Sequence, residues 1–176
     1  MGSKDPGIVQ VYTGSGKGKT TAALGQALRA CGWGLRVIVL QFLKNGRNSG
    51  ELRSAAGLQN LKFECFGTGE FIRKGNPGPE DLRLASAGVS RAREIMENRE
   101  CDLLILDEIN TAVDLGVVEE KDAIELIDLR PGTIDLVLTG RNARPLVIQK
   151  ADLVTEMLDV KHPFERGLEA RRGIEY

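Results

Sequence analysis

The sequence predicts an α/β fold: a mostly parallel sheet of about six strands with helices on both faces. Three observations predict it. Short apolar runs alternate along the chain with longer runs of helical spacing. Several of the apolar runs carry almost no polar residue, as strands buried on both faces do. The first run passes straight into a glycine-rich turn ending Gly18-Lys19-Thr20, and a helix-forming stretch begins at once. Right-handed crossovers between such strands line up their C-terminal ends along one edge, where open α/β sheets bind ligands.

In chain order, strands are expected at 8–12, 36–41, 61–65, 103–106, 135–138 and 153–155. Helices are expected at 20–31, 51–56, 79–99, 121–129 and 145–150. In the third of these, Leu82, Ala85, Val89, Ala92 and Met96 recur at helical spacing. Gly88 lowers the stability of that helix without breaking it. Two segments have no clean period. Residues 67–79 read GTGEFIRKGNPGP, a long loop carrying one aromatic, Phe71. Residues 159–176 read DVKHPFERGLEARRGIEY. Both are either loose surface or lids over a bulky ligand. The expected organisation is one domain over 1–176, with 1–7 and 159–176 as less regular ends.

Composition narrows the function classes. A chain of 176 residues is long enough for a sizeable core. Its 24 basic and 25 acidic residues leave a net charge of −1, so no bulk attraction to nucleic acid is expected. No apolar run approaches the ~20 residues a membrane span needs. The first seven residues are short and polar, unlike a secretory leader, and a cytoplasmic protein is expected. Cys31, Cys65 and Cys101 are odd in number and lack zinc-site spacing. Reduced thiols in or near the core are the expectation.

The stretch from Val9 to Thr21 carries the chemistry. A strand, a glycine turn, Gly-Lys-Thr and a helix make a cradle for polyphosphate. Gly14, Ser15, Gly16, Lys17 and Gly18 form the turn, whose backbone N–H groups face inward. The helix N-terminus adds partial positive charge. Lys19 supplies a full charge, and Thr20 offers its hydroxyl to Mg²⁺ or Mn²⁺. The spacing is unusual. Only three residues separate Gly14 from Gly18, and the strict register puts Thr13 where the first glycine belongs. Such a loop wraps phosphate differently, which argues against an ordinary ATPase or GTPase.

A second element supports the first. The run 103–108 is an apolar strand ending in Asp107 and Glu108. Adjacent strand residues face opposite ways, so one carboxylate is expected at the metal and the other in a supporting role. Thr139-Gly140-Arg141 follows another strand and sets a guanidinium at the same edge, either to clamp a phosphate or to form a surface ion pair. Arg29 falls two and a half turns past Thr20, on what spacing alone reads as a solvated face. His162, the only histidine, stands beside Pro163 and Phe164 and reads as a turn or packing residue. The Asp-x-His-x-x-Gly pattern of modules that ligate B12 through histidine is absent, because position 160 is Val.

Taken together, these motifs resemble the cob(I)alamin adenosyltransferases of the ATP:corrinoid type, which are related to the RecA-like phosphate-loop proteins. The resemblance runs from about Val9 to Tyr176. It rests on Tyr12 to Ala23, on Val37-Ile38-Val39-Leu40-Gln41-Phe42-Leu43-Lys44, on Leu106-Asp107-Glu108-Ile109-Asn110 and on Leu138 to Ala143. The segments Ala151 to Met157 and Lys161 to Phe164 complete it. It implies a RecA-like fold in which Co(I) of a corrinoid attacks the 5′ carbon of ATP and expels the whole triphosphate. It also implies that ATP lies in the reverse of the usual sense. Lys19, Thr20 and Glu108 are then the catalytic residues, with Thr20 and Glu108 on the metal. Gly14 through Thr21, Arg29 and Arg141 hold the nucleotide. Phe71 is the implied aromatic beneath the corrin that excludes its lower ligand. The family's Gly-x-Gly-Phe-Thr-Trp reads Gly67-Thr68-Gly69-Glu70-Phe71-Ile72-Arg73 here, with one extra residue before Phe71 and no tryptophan. The implied partners are ATP, a corrinoid (cobalamin, cobinamide or cobyrinic acid diamide), an electron donor such as a reduced flavoprotein, and a second copy of the chain in a homodimer.

Other readings share some of these residues. An ordinary phosphate-loop ATPase or small-molecule kinase would make ADP. A carrier or sensor would bind nucleotide or corrinoid without forming a bond. A DNA-dependent ATPase is disfavoured by the charge balance.

Overall fold

The chain alternates strand and helix almost throughout. The strands are β1 (Val9–Thr13), β2 (Val37–Phe42), β3 (Leu61–Phe66), β4 (Leu103–Asp107), β5 (Asp135–Thr139) and β6 (Leu153–Glu156). The helices are α1 (Lys19–Gly32), α2 (Gly50–Ala55), α3 (Pro79–Asn98), α4 (Ile109–Leu115), α5 (Glu120–Leu129) and α6 (Pro145–Lys150). The computed structural model describes residues 6–47, 49–163 and 167–174. Phe164, and parts of the two terminal segments, lie outside these residues. The six strands form one sheet in the order β3-β2-β4-β5-β1-β6, and every pairing is parallel. The expected α/β class and strand number are both found.

Strand parity divides the core into two layers. Ile38, Leu40 and Phe42 of β2, Leu104 and Leu106 of β4 and Leu136 and Leu138 of β5 face a thick layer with Ala85, Val89, Ala92, Ala112, Ala123 and Val147 from α3 to α6. The alternate residues Val37, Val39, Leu103, Ile105 and Val137 face α1, which presents Ala23, Ala27 and Ala30. Each large aliphatic side chain withdrawn from water contributes about 1.5–3 kcal/mol before entropy is counted. The small residues of α1 let that helix sit close on the sheet, and this closeness sets the distance of its first turn from the strand ends.

Three features differ from the sequence reading. Helix α4 follows β4 without a loop, because Glu108 turns the corner in the left-handed region at φ 64°. Strand β6 is exposed throughout, as an edge strand rather than a strand buried on both faces. Leu82 is exposed on α3, whereas Ala85, Val89, Ala92 and Met96 are buried as its spacing predicts. Gly88 also has a packing reason. A Cβ there would lie 2.9 Å from Phe42 and from Phe66, whose rings it covers. Cys31, Cys65 and Cys101 are free thiols, with Cys101 buried. Among the described residues, no helix is long and apolar enough to cross a membrane.

Candidate active site

The phosphate loop joins β1 to α1. Thr13 stays in the strand, buried, and its hydroxyl accepts a 3.1 Å hydrogen bond from the Ala143 amide. Gly14 makes the turn instead, at φ 94°. The segment after β6 walls the loop. The Gly16 amide donates to the Met157 carbonyl at 2.7 Å, and a Cβ on Gly14 or Gly16 would collide with the backbone of Met157 or Leu158. Gly18 then opens α1 at φ 118°, with no side chain capping the helix and no acidic residue in its first turn. Uncapped N–H groups and the helix dipole both favour an anion there.

Lys19 folds back into this loop. Its ammonium donates to the carbonyls of Gly14 at 2.7 Å and Gly16 at 2.6 Å. Burial lowers its pKa, the charge of Arg141 lowers it further, and Glu108 works the other way. Arg141 and Glu108 therefore share the electrostatic surroundings of Lys19. Ser15, Lys17 and Thr21 are exposed around the loop, and the Lys17 ammonium donates to the Ile174 carbonyl at 3.2 Å. A cleft of about 590 Å³ opens beside it, lined by Lys17, Thr21, Leu24, Leu28, Glu51 and Phe63 among others.

The acidic strand end is built by register. Gln41 pairs with Asp107 across β2 and β4, and Thr139 ends β5 on the far side. The period of two turns all three toward α1, where Thr20 waits. Asp107 Oδ1 accepts from Thr20 Oγ1 at 2.8 Å and Thr139 Oγ1 at 2.7 Å. Its Oδ2 accepts from Gln41 Nε2 at 3.0 Å and Lys44 Nζ at 2.7 Å. Burial pushes the Asp107 carboxyl pKa up, but the Lys44 charge and these donors outweigh it and hold the group below its ordinary value. Both oxygens are thus occupied. Glu108 Oε2 accepts from Thr111 Oγ1 at 2.6 Å, and its backbone N–H donates to Thr139 Oγ1 at 2.9 Å. Of the two carboxylates, Asp107 takes the structural position and Glu108 keeps the freer oxygens.

Strand β4 is separated from β1 by β5, so the two phosphate-site elements are next-but-one neighbours. Arg141 follows β5 at the same edge, exposed, with its amide donating to Thr111 Oγ1 at 2.9 Å. Gly140, at φ 130°, allows the close approach of that backbone. Phe71 is 91% exposed, yet its loop is anchored. Ile72 is buried, Lys74 pairs with Asp114 at 2.6 Å, and the Gly75 amide donates to the Leu115 carbonyl at 3.0 Å. Arg29 stands apart. It lies exposed on the last turn of α1, about 15 Å along the helix from Lys19.

The arrangement gathers Lys19, Thr20, Glu108 and Arg141 around one uncapped helix N-terminus. The chain matches, over residues 5–176, the family described as ATP:corrinoid adenosyltransferase BtuR/CobO/CobP. The chain belongs to this family. A corrinoid adenosyltransferase of Pseudomonas aeruginosa is 34% identical over 97% of the chain and 84% of its own length. The corrinoid adenosyltransferase CobA of Salmonella typhimurium is 34% identical over 98% and 87%. One from Escherichia coli K12 is 33% identical over 97% and 86%.

Sequence reasoning missed Lys44, Gln41 and Thr139 as parts of this site. Two signals were present. Gln41 is a polar residue in the otherwise apolar strand VIVLQF, and Thr139 ends another apolar strand. A polar residue at the C-terminal end of a buried strand points at the ligand edge.

Proposed function

We propose that this enzyme transfers the 5′-deoxyadenosyl group of ATP to Co(I) of a corrinoid and releases triphosphate. The observation that carries the reading is the Thr20–Asp107 hydrogen bond, which ties the uncapped first turn of α1 to the acidic end of β4 in a chain of this family. The Co(I) electron pair attacks C5′, and the C5′–O bond breaks with its pair leaving on the triphosphate. A cobalt–carbon bond forms, and the metal ends as Co(III). The protein has two tasks: aligning C5′ with cobalt, and stabilising charge on the departing group.

The donors present suit a hard divalent cation. Mg²⁺ commonly takes one or two protein oxygens and completes its shell with phosphate and water. Thr20 Oγ1 and Glu108 are such oxygens, and they would hold Mg²⁺ or Mn²⁺. That ion, when bound, would neutralise charge on the triphosphate. Asp107 fixes the Thr20 hydroxyl in place. Lys19 exchanges its two loop carbonyls for phosphate oxygens, the amides of Gly18 and Thr21 and the Ser15 and Lys17 backbone line the cradle, Gly16 holds the loop to the Met157 carbonyl, and Arg141 reaches the nucleotide from β5. The assignment of Arg29 to the nucleotide rests on the resemblance alone.

Phe71 is proposed as the cover of the corrin face, supported by its exposure on an anchored loop. A cytoplasmic homodimer fed electrons by a reduced flavoprotein, acting on cobalamin, cobinamide or cobyrinic acid diamide, completes the proposal. Phosphorus NMR of a reaction with ATP and pre-reduced corrinoid tests the reading. Triphosphate as the primary product supports it, and ADP would indicate a kinase or ATPase instead.

A further inference from the structure

We propose that Lys44 is a second triphosphate-binding lysine, held ready over the phosphate loop by the buried carboxylate of Asp107. The inference rests on the triphosphate reading above. Its first support is the backbone. Strand β2 ends at Phe42, and Leu43 takes φ 64°, a left-handed conformation that a branched residue rarely adopts. The bend is packed from β3. The Leu43 amide donates to the Phe66 carbonyl at 3.3 Å, and a Cβ on Gly67 would collide with the Leu43 backbone. The end of β3 thus holds a strained corner, and the Lys44 side chain beyond it turns back to Asp107 on the neighbouring β4.

The second support is where the ammonium ends. Lys44 Nζ lies 2.7 Å from Asp107 Oδ2 and 3.5 Å from Thr20 Oγ1, beside the first turn of α1. An ammonium has three donors. Asp107 takes one and Thr20 is at the limit of range, so a donor remains for an anion. The Lys44 side chain is 39% exposed against 1% for Asp107, so the lysine reaches solvent where the carboxylate does not. Asp107 also holds donors from Thr20, Gln41 and Thr139, and three of its four hydrogen bonds survive if the lysine leans toward a ligand. A departing triphosphate carries several negative charges, and Lys44 adds a second cation beside Thr20 to the one Lys19 supplies.

The test is calorimetric titration of the full chain with inorganic tripolyphosphate, in chelator and without corrinoid. Lys44→Met should weaken binding by about tenfold or more, the size expected for one charged hydrogen bond. Lys44→Arg, which keeps the charge, should retain most of it. If Lys44→Met leaves Asp107 uncompensated and fails to fold, the double variant Lys44→Met, Asp107→Asn removes the unpaired charge and should show the same loss. Unchanged tripolyphosphate affinity in the folded variants would overturn the proposal. So would tighter Mn²⁺ binding, measured in a separate titration without chelator, at unchanged tripolyphosphate affinity, because Lys44 would then be only a placeholder for the metal. Failure of the wild-type chain to bind tripolyphosphate would overturn the triphosphate reading itself, and this proposal with it.

Discussion

Lys19 is bonded to carbonyls of its own loop, at 2.6 and 2.7 Å, so the loop itself holds the charge that the proposed function brings to the triphosphate. Lys19→Ala should therefore lose about 3 kcal/mol of barrier stabilisation, on the order of a hundredfold in kcat. Near-normal turnover in a folded variant would remove Lys19 from the mechanism. Glu108→Gln should raise the Mg²⁺ concentration needed for half-maximal rate more than it changes corrinoid KM. An unchanged Mg²⁺ titration would shift the ligand role to Asp107. Away from the site, burial pushes the Cys101 thiol up to about 12, from an ordinary value of 9.0. Ellman's reagent at pH 8 should thus leave Cys101 unmodified in the folded protein and modify it after unfolding. The linked stability is fully present below the unfolded thiol pKa and falls as pH rises toward 12, because the unfolded chain loses the proton first. The phosphate loop was legible because its glycines, lysine and threonine are contiguous. Lys44 was not, because its role depends on a bend at Leu43 and on a strand that is distant in sequence.

At the scale of elements, the strands and most helices stand within a residue or two of where periodicity placed them. Helix α4 was missed because it has no preceding turn signal; a single left-handed residue, Glu108, replaces the loop. The same corner separates Asp107 from Glu108 and gives them different tasks. Gly88 on α3 shows a second limit of reading a helix by itself. Propensity alone predicts a gain of about 1 kcal/mol for Gly88→Ala. The contacts at 2.9 Å to Phe42 and Phe66 predict overpacking that costs about 1–3 kcal/mol. The net expectation is a lower urea midpoint at unchanged m-value, and a raised midpoint would show that α3 shifts freely on the sheet. The loop carrying Phe71 makes a different prediction. Because the ring is 91% exposed, Phe71→Ala should leave thermal stability nearly unchanged. It should impair reaction from Co(II) with a mild reductant and spare reaction from chemically prepared Co(I). Equal loss in both assays would assign Phe71 to binding.

For the molecule as a whole, the parallel sheet explains why residues from four segments meet. All six strands point their C-terminal ends to one edge, and that edge receives Thr20, Lys44, Asp107, Glu108 and Arg141. Strand order was not legible from the sequence. Alternation of strand and helix gives direction and handedness, but the placing of β5 between β1 and β4 comes from long-range packing. It matters to function, because Thr139 from that intervening strand is what ties Asp107 to the Glu108 backbone. Arg29, at the other end of α1, belongs to no part of this edge. The central claim, adenosyl transfer with loss of the intact triphosphate, is tested most directly by mixing the protein with ATP, Mg²⁺ and chemically reduced Co(I) corrinoid. The visible spectrum is followed while triphosphate is counted. The account predicts a light-sensitive adenosylcorrinoid formed one-for-one with triphosphate; ADP or phosphate released without any light-sensitive corrinoid would contradict it.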